Sequence, residues 1–269
     1  MIEVKDLTDE RLKIYTGMNE NGLKRIYEPK SGLFIAESLK VIERALRAGY
    51  EPESFLIEEQ VAFGEAEWLV REYEAQVPVY IMPYEELKGL TGYALTGGVF
   101  AALKRKELPS PEEIIKGASC IAILDNIENP TNVGAIIRNA AALSLDGIIL
   151  TSSSADPLYR RASRVSMGTV FQIPWTVCRE VPFEALRKEG FVTLAMALNN
   201  DTLVINDERL KGLRRSAIIL GNEGDGLTDE TISRADHVVK IPMREGVDSL
   251  NVAAASAVAF WELRSHTTE

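Results

Sequence analysis

From residue 119 onward the chain alternates unbroken apolar runs with stretches whose apolar positions recur at helical spacing. Ser119-Cys120-Ile121-Ala122-Ile123-Leu124 is apolar after its first residue, which suits a central parallel strand covered on both faces. A turn over 125–130, a helix over 131–143 and a strand over 147–150 then make a βαβ unit, with a right-handed crossover expected. Further strands are predicted at 170–174, 191–196, 216–220 and 238–241, and a helix at 183–188. The 198–213 stretch is polar and reads as loop, with a turn at Asn199-Asn200-Asp201. The final helix, 250–263, is rich in alanine, and such small side chains let elements pack closely.

The first hundred residues carry shorter periods. A strand at 33–36, a helix over 37–48 with Leu39, Ile42 and Leu46 on one face, and a strand at 54–57 read as a βαβ opening. A helix at 66–73, strands at 79–82 and 99–103, and a helix at 84–88 complete a small α/β layer, with a glycine turn placed at 90–92 and 96–99. Lys104-Arg105-Lys106-Glu107-Leu108-Pro109-Ser110-Pro111 changes composition abruptly and reads as a hinge. The expected organisation is α/β throughout: a domain over 1–106, a linker over 107–117 and a second domain over 118–269.

Charge complicates any functional reading. The chain carries a formal net charge of −10, with 14 basic against 19 acidic residues over 1–107 and 16 against 21 over 108–269. Nucleic-acid binding would have to rest on local basic patches. The densest lies in 156–168, where Arg160, Arg161 and Arg164 alternate with Ser163 and Ser166; it fits phosphate contact or a merely solvated helix face. Two histidines, His237 and His266, leave little for a hydrolytic triad. Cys120 and Cys178 sit in apolar contexts without C-x-x-C spacing, so they are expected to be inert thiols, with neither a disulfide nor a metal site. No G-x-G-x-x-G follows the first strand of the second domain, which speaks against a dinucleotide oxidoreductase. No apolar run is long enough to span a bilayer and the N-terminus lacks the order of a signal peptide, so a cytoplasmic protein is expected.

Three segments carry the chemistry. The first is Asn129-Pro130-Thr131-Asn132-Val133-Gly134-Ala135-Ile136-Ile137-Arg138-Asn139-Ala140. In the second, Ile218-Ile219-Leu220-Gly221-Asn222-Glu223-Gly224-Asp225-Gly226-Leu227, three glycines surround Glu223 in a loop whose backbone N–H groups suit a ligand. The third is Ile241-Pro242-Met243-Arg244-Glu245-Gly246-Val247-Asp248-Ser249-Leu250-Asn251-Val252, where Ser249 stands at the expected N-cap and Asn251 falls in the first turn of the last helix.

In this order and separation the three resemble the motifs of the SpoU/TrmH family of RNA ribose methyltransferases, of the SPOUT class. The resemblance implies a C-terminal α/β trefoil-knot domain, S-adenosyl-L-methionine as cofactor, a ribose 2′-hydroxyl of RNA as acceptor, and a homodimer. It implies that Met196, Gly221, Ile241 and Leu250 hold the cofactor through backbone groups, and that Asn132, Arg138, Glu223, Ser249 and Asn251 line the transfer site. Arg164 and Ser166, with Arg160 and Arg161, would contact RNA. The N-terminal part resembles the substrate-binding domain that often precedes the catalytic one in this family, which favours ribosomal (23S) over transfer RNA. Physical chemistry prefers a charged Arg138 that stabilises a developing alkoxide over a neutral arginine base, since its pKa lies above ~12. Phe260 and Trp261 of the last helix are expected to anchor the dimer. A catalytically silent RNA-binding protein is the rival reading.

Overall fold

A computed structural model describes residues 1–25, 32–90, 97–198, 202–247 and 249–264. It divides into two compact units, residues 1–107 with 158–171, and residues 108–157 with 172–269. The turn expected at 199–201, most of the glycine turn at 90–99 and His266 lie outside the described residues.

The first unit holds a five-stranded sheet of β1 (Ile2–Glu3), β2 (Leu33–Glu37), β3 (Pro52–Glu58), β4 (Val79–Met82) and β5 (Val99–Lys104), in the order β1-β4-β3-β5-β2. β2 and β3, read from the sequence as a βαβ start, do not pair: β5 lies between them, antiparallel to both. Local periodicity cannot show the late arrival of a strand sixty residues downstream. The helix after β2 spans Leu39–Arg47 and buries Val41, Ile42 and Ala45, so its inner face is turned from the Leu39, Ile42, Leu46 stripe expected. The basic run after β5 is tied down and is no free hinge: Lys104 pairs with Glu51 at 3.3 Å, Arg105 Nε donates to the Leu33 carbonyl, and Lys106 donates to the Ala48 carbonyl while lying 4.8 Å from the Tyr50 ring centroid.

Residues 158–171 belong to this unit by their contacts. The helix Arg160–Val165 packs on β2. Phe171 meets Phe34 and Tyr50, with ring centroids 5.8 and 5.1 Å away, and Arg44 donates to the Met167 carbonyl at 2.6 Å. Gly168, at φ +78, holds a backbone conformation that favours glycine, and a Cβ there would press on the Val41 Cα at 3.2 Å.

At the end of β2, Ser38 holds φ 82 and ψ 143 with no side-chain cap bond, a region that only glycine enters freely. Ser38→Gly should therefore raise stability by about 1 kcal/mol, a few degrees in melting temperature. Thermal unfolding followed by circular dichroism checks this, and an unchanged or lower midpoint would show that the backbone there is not strained.

The second unit is a seven-stranded sheet whose pairings are all parallel. Its strands are β6 (Cys120–Leu124), β7 (Gly147–Thr151), β8 (Trp175–Cys178), β9 (Val192–Met196), β10 (Leu203–Val204), β11 (Ser216–Leu220) and β12 (His237–Lys240), ordered β10-β12-β9-β11-β6-β7-β8. Every residue of β6, β7 and β11 is buried, which is why those strands read as unbroken apolar runs. The strand expected at 170–174 is instead a 3₁₀ turn, Thr169–Phe171, with β8 beginning at Trp175. Met167 and Gly168 turn the chain at positive φ, and pairing with β7 starts where the Pro174 carbonyl accepts from Ile148 N–H. Residues 107–117 contain a helix, Pro111–Ile115, started by a Ser110/Glu113 capping box. Its Ile114 and Ile115 join the core made with Ile121, Ile123, Phe183 and Ile219. Burial pushes both thiols up to about 11, so Cys120 and Cys178 are free, protonated and unreactive at neutral pH.

Candidate active site at the carboxyl ends of parallel strands

Because β9, β11 and β12 run parallel, their carboxyl ends share one edge of the sheet, and there the chain forms a cavity of about 470 Å³. Met196, Gly221 and Ile241 each stand at or just past the end of one of these strands and line it, together with Leu250 from the segment before the last helix. The loop after β11 is shut by its own backbone: Asn222 N–H donates to the Gly226 carbonyl at 3.2 Å and Gly226 N–H returns to Asn222 at 3.0 Å. The Asn222 side chain accepts from Gly224 N–H at 2.7 Å and donates to the Asn126 carbonyl at 3.0 Å. Asn222 thus pins the glycine loop to the turn after β6. Asn222 is not among the site residues expected from the sequence, although an Asn two residues before a glycine is a signal for such a side-chain turn.

The last helix spans Val252–Leu263 and its N-cap is Asn251, whose Oδ1 accepts from Ala253 N–H at 3.0 Å. This corrects the expectation that Ser249 caps and Asn251 enters the first turn; Ser249 is exposed at the cavity lip. The cap does more than end a helix. Asn251 Nδ2 donates to Asn132 Oδ1 at 3.2 Å, and Asn132 Nδ2 donates to Glu223 Oε1. Asn132 is 7% exposed on the helix Pro130–Ala142. Seven residues on, Asn139 Nδ2 donates to the Ala253 carbonyl and the Ser256 hydroxyl, at 2.8 and 2.9 Å. The small residues of the last helix allow that approach, and at the far end Arg264 donates to the Leu143 carbonyl at 3.3 Å, so the two helices are tied at both ends.

Arg138 is not drawn into this network. It is exposed, and it makes no hydrogen bond or ion pair among the described residues. Six positions past Asn132, it stands some 240° around the helix at ~100° per residue. Phe260, expected as a dimer anchor, is fully buried within the chain, whereas Trp261 is 56% and Val258 40% exposed. Ala254, Val258 and Trp261 lie at i, i+4 and i+7 and leave an apolar stripe open along the helix.

The arginine-rich segment lies in the other unit. Arg161 is exposed. Arg164 donates to Glu37 at 2.8 Å, and Arg160 Nε stands 3.7 Å from the same carboxylate. Ser166 does not face solvent: at 0% exposure its hydroxyl donates to the Ser163 carbonyl and accepts from Gly168 N–H. It closes a helix, so the expected RNA contact at Ser166 does not hold: the hydroxyl is buried.

No group of three or more His, Cys, Asp and Glu among the described residues is placed to hold a metal, and no helix there is long and apolar enough to cross a membrane.

The sequence profile of the SpoU rRNA Methylase family matches residues 119–261. The chain is 34% identical over 268 residues to an uncharacterized tRNA/rRNA methyltransferase of Mycobacterium tuberculosis, covering 97% of this chain and 90% of that one. It is 26% identical over 245 residues to the 23S rRNA (guanosine(2553)-2'-O)-methyltransferase RlmP of Bacillus subtilis, with 87% and 90% covered. Among solved structures, an AdoMet-bound rRNA methyltransferase from Sinorhizobium meliloti superposes with a TM-score of 0.84 at 25% identity, covering 99% of this chain and 98% of that one.

Proposed function

The chain belongs to the SpoU family of RNA methyltransferases, with the knotted α/β fold of the SPOUT class, and from that premise we propose that it methylates a ribose 2′-hydroxyl of ribosomal RNA using S-adenosyl-L-methionine. The observation that carries the reading is the Asn251–Asn132–Glu223 hydrogen-bond chain. It ties together residues 119 positions apart in sequence at the mouth of a single cavity.

The residues present fit the cofactor. The cavity is of ordinary small-molecule size, and its wall at Gly221 is bare backbone, where a Cβ would strike the facing turn at 2.6 Å. Met196, Gly221, Ile241 and Leu250 would hold the adenosine. Bound there, the cofactor supplies a methyl group activated on a sulfonium. The chain's own part is orientation and charge. Asn132, fixed by hydrogen bonds on both sides, presents a rigid amide beside Glu223, and Ser249 at the lip would position the ribose. Arg138 would stabilise charge developing on the 2′-oxygen, and its exposed position fits delivery to a site formed with a second copy of the chain. The open Ala254, Val258, Trp261 stripe supports such a homodimer. The 23S RNA is favoured over tRNA by the name of the Bacillus relative.

The test is transfer of a labelled methyl group from S-adenosyl-L-methionine to unmodified 23S rRNA and to tRNA, with the product mapped as 2′-O-methyl or base-methyl. Ribose methylation of 23S rRNA is expected. Cofactor binding without transfer to either RNA would leave a silent RNA-binding protein, and a base-methyl product would overturn the acceptor.

A further inference from the structure

We propose that Glu37 determines how strongly the arginine helix attracts RNA in general, acting as a built-in counter-anion that lowers bulk attraction in favour of discrimination; this rests on the RNA reading above. Glu37 closes β2 at 2% exposure, and the two arginines it holds are each about a third exposed, with side chains at 31% and 32%. One carboxylate oxygen accepts from Arg164 at 2.8 Å. The other, Oε2, is buried without a hydrogen bond and reaches only Arg160 Nε at 3.7 Å.

A carboxylate serving solely as a clamp would fill both oxygens, ideally with a bidentate arginine fork, because a buried acceptor left unmade is costly. Here a single anion is shared between two cations, loosely with one of them, and both cations remain open to solvent. The helix carries Arg160, Arg161 and Arg164, and the carboxylates against it are Glu37 and Glu20, whose Oε1 accepts from Arg160 N–H at 2.7 Å; without Glu37 the local charge rises by one. The backbone that follows, at Ser38, sits at φ 82, and strain of this kind persists where the surroundings fix a residue's place. In a chain of net charge −10, attraction for phosphate rests on local basic patches such as this one.

Binding of poly(U) and of a 23S rRNA transcript to the full chain, measured across a salt series, tests this with Glu37→Gln, Glu37→Met and Arg164→Gln beside the wild type. Either uncharged Glu37 variant should bind poly(U) more tightly, with a log–log salt slope steeper by about 0.7, the value of one single-strand phosphate contact. The preference for 23S rRNA over poly(U) should shrink. Arg164→Gln should make the slope shallower by a similar amount. Circular dichroism establishes which variants fold; the Met variant removes the unbonded oxygen and keeps the volume should the Gln variant fail. Unchanged slopes in a folded Glu37 variant, or failure of both to fold, would make the residue only a structural clamp and overturn the proposal. If wild type and Arg164→Gln bind both RNAs alike and without salt dependence, it is the RNA reading of this face that falls.

Discussion

Arg138→Ala should lower the rate of methyl transfer by on the order of 10²–10³ while leaving cofactor affinity at the wild-type level. Removing one preorganised charge-stabilising donor costs about that much, and Arg138 lines neither the cavity nor the Asn251–Asn132–Glu223 chain. Its exposed guanidinium contributes nothing visible to the fold, so the variant should unfold like the wild type. Arg138→Lys keeps the charge but not the planar fork and should retain part of the activity. If arginine acted as a base, the rate would climb far above neutral pH and the Lys variant would outperform wild type there; a pH–rate profile of both separates the two roles. Single-turnover methylation by Arg138→Ala at the wild-type rate would remove the residue from the reaction altogether.

Gly221→Ala should weaken cofactor binding by roughly tenfold to a hundredfold, from ~1–3 kcal/mol of overpacking at tenfold per ~1.4 kcal/mol. The added Cβ would lie 2.6 Å from the Gly226 carbonyl carbon and the Leu227 nitrogen and 2.8 Å from the Gly226 oxygen. All three are backbone atoms, and the loop that carries them is closed by the paired Asn222 and Gly226 bonds, so the clash is relieved only by opening the cavity wall. Gly224→Ala is the control, since its Cβ would meet only the Asn222 side-chain oxygen at 3.4 Å. Calorimetry with S-adenosylhomocysteine should show the loss in the first variant and little change in the second; equal affinities would mean that the cofactor does not sit against this loop. The two defects also test each other. Mixed with Arg138→Ala chains, Gly221→Ala chains should restore about a quarter of wild-type activity if each arginine serves a partner's cavity in a symmetric dimer. They should restore none if it serves its own.

Much of the second unit is legible because burial on both faces writes strands as unbroken apolar runs: β11 falls on the predicted residues, and β6 and β7 within one of them. The cavity residues were legible by resemblance, and the parallel strand ends explain why residues as distant as Met196 and Leu250 converge. With the cap expected at Ser249, Asn251 reads as a poor helix former in the first turn; the cap lies two residues later, at Asn251 itself. Once it is the cap, its poor helix propensity is no longer a puzzle. The insertion of β5 between β2 and β3 was not legible, since strand order depends on contacts with no local period. Nor was the neutralisation of the arginine patch, because Glu37 stands more than 120 residues from the arginines it pairs with. Ser166 was misread for a related reason: a hydroxyl between arginines looks the same in sequence whether it faces solvent or closes a helix.

The excursion of residues 158–171 into the first unit bears on how the chain is born. On the ribosome an N-terminal domain ordinarily folds as soon as it emerges, at about 5–20 residues per second. Here the aromatic partner of Phe34 and Tyr50 is Phe171, and the cations that meet Glu37 come at 160 and 164. The first unit therefore waits, with the Glu37 carboxylate unmatched, through the synthesis of β6, the helix Pro130–Ala142 and β7. Its completion falls in the middle of the second unit's own emergence, so a nascent chain halted before residue 158 holds two unfinished units.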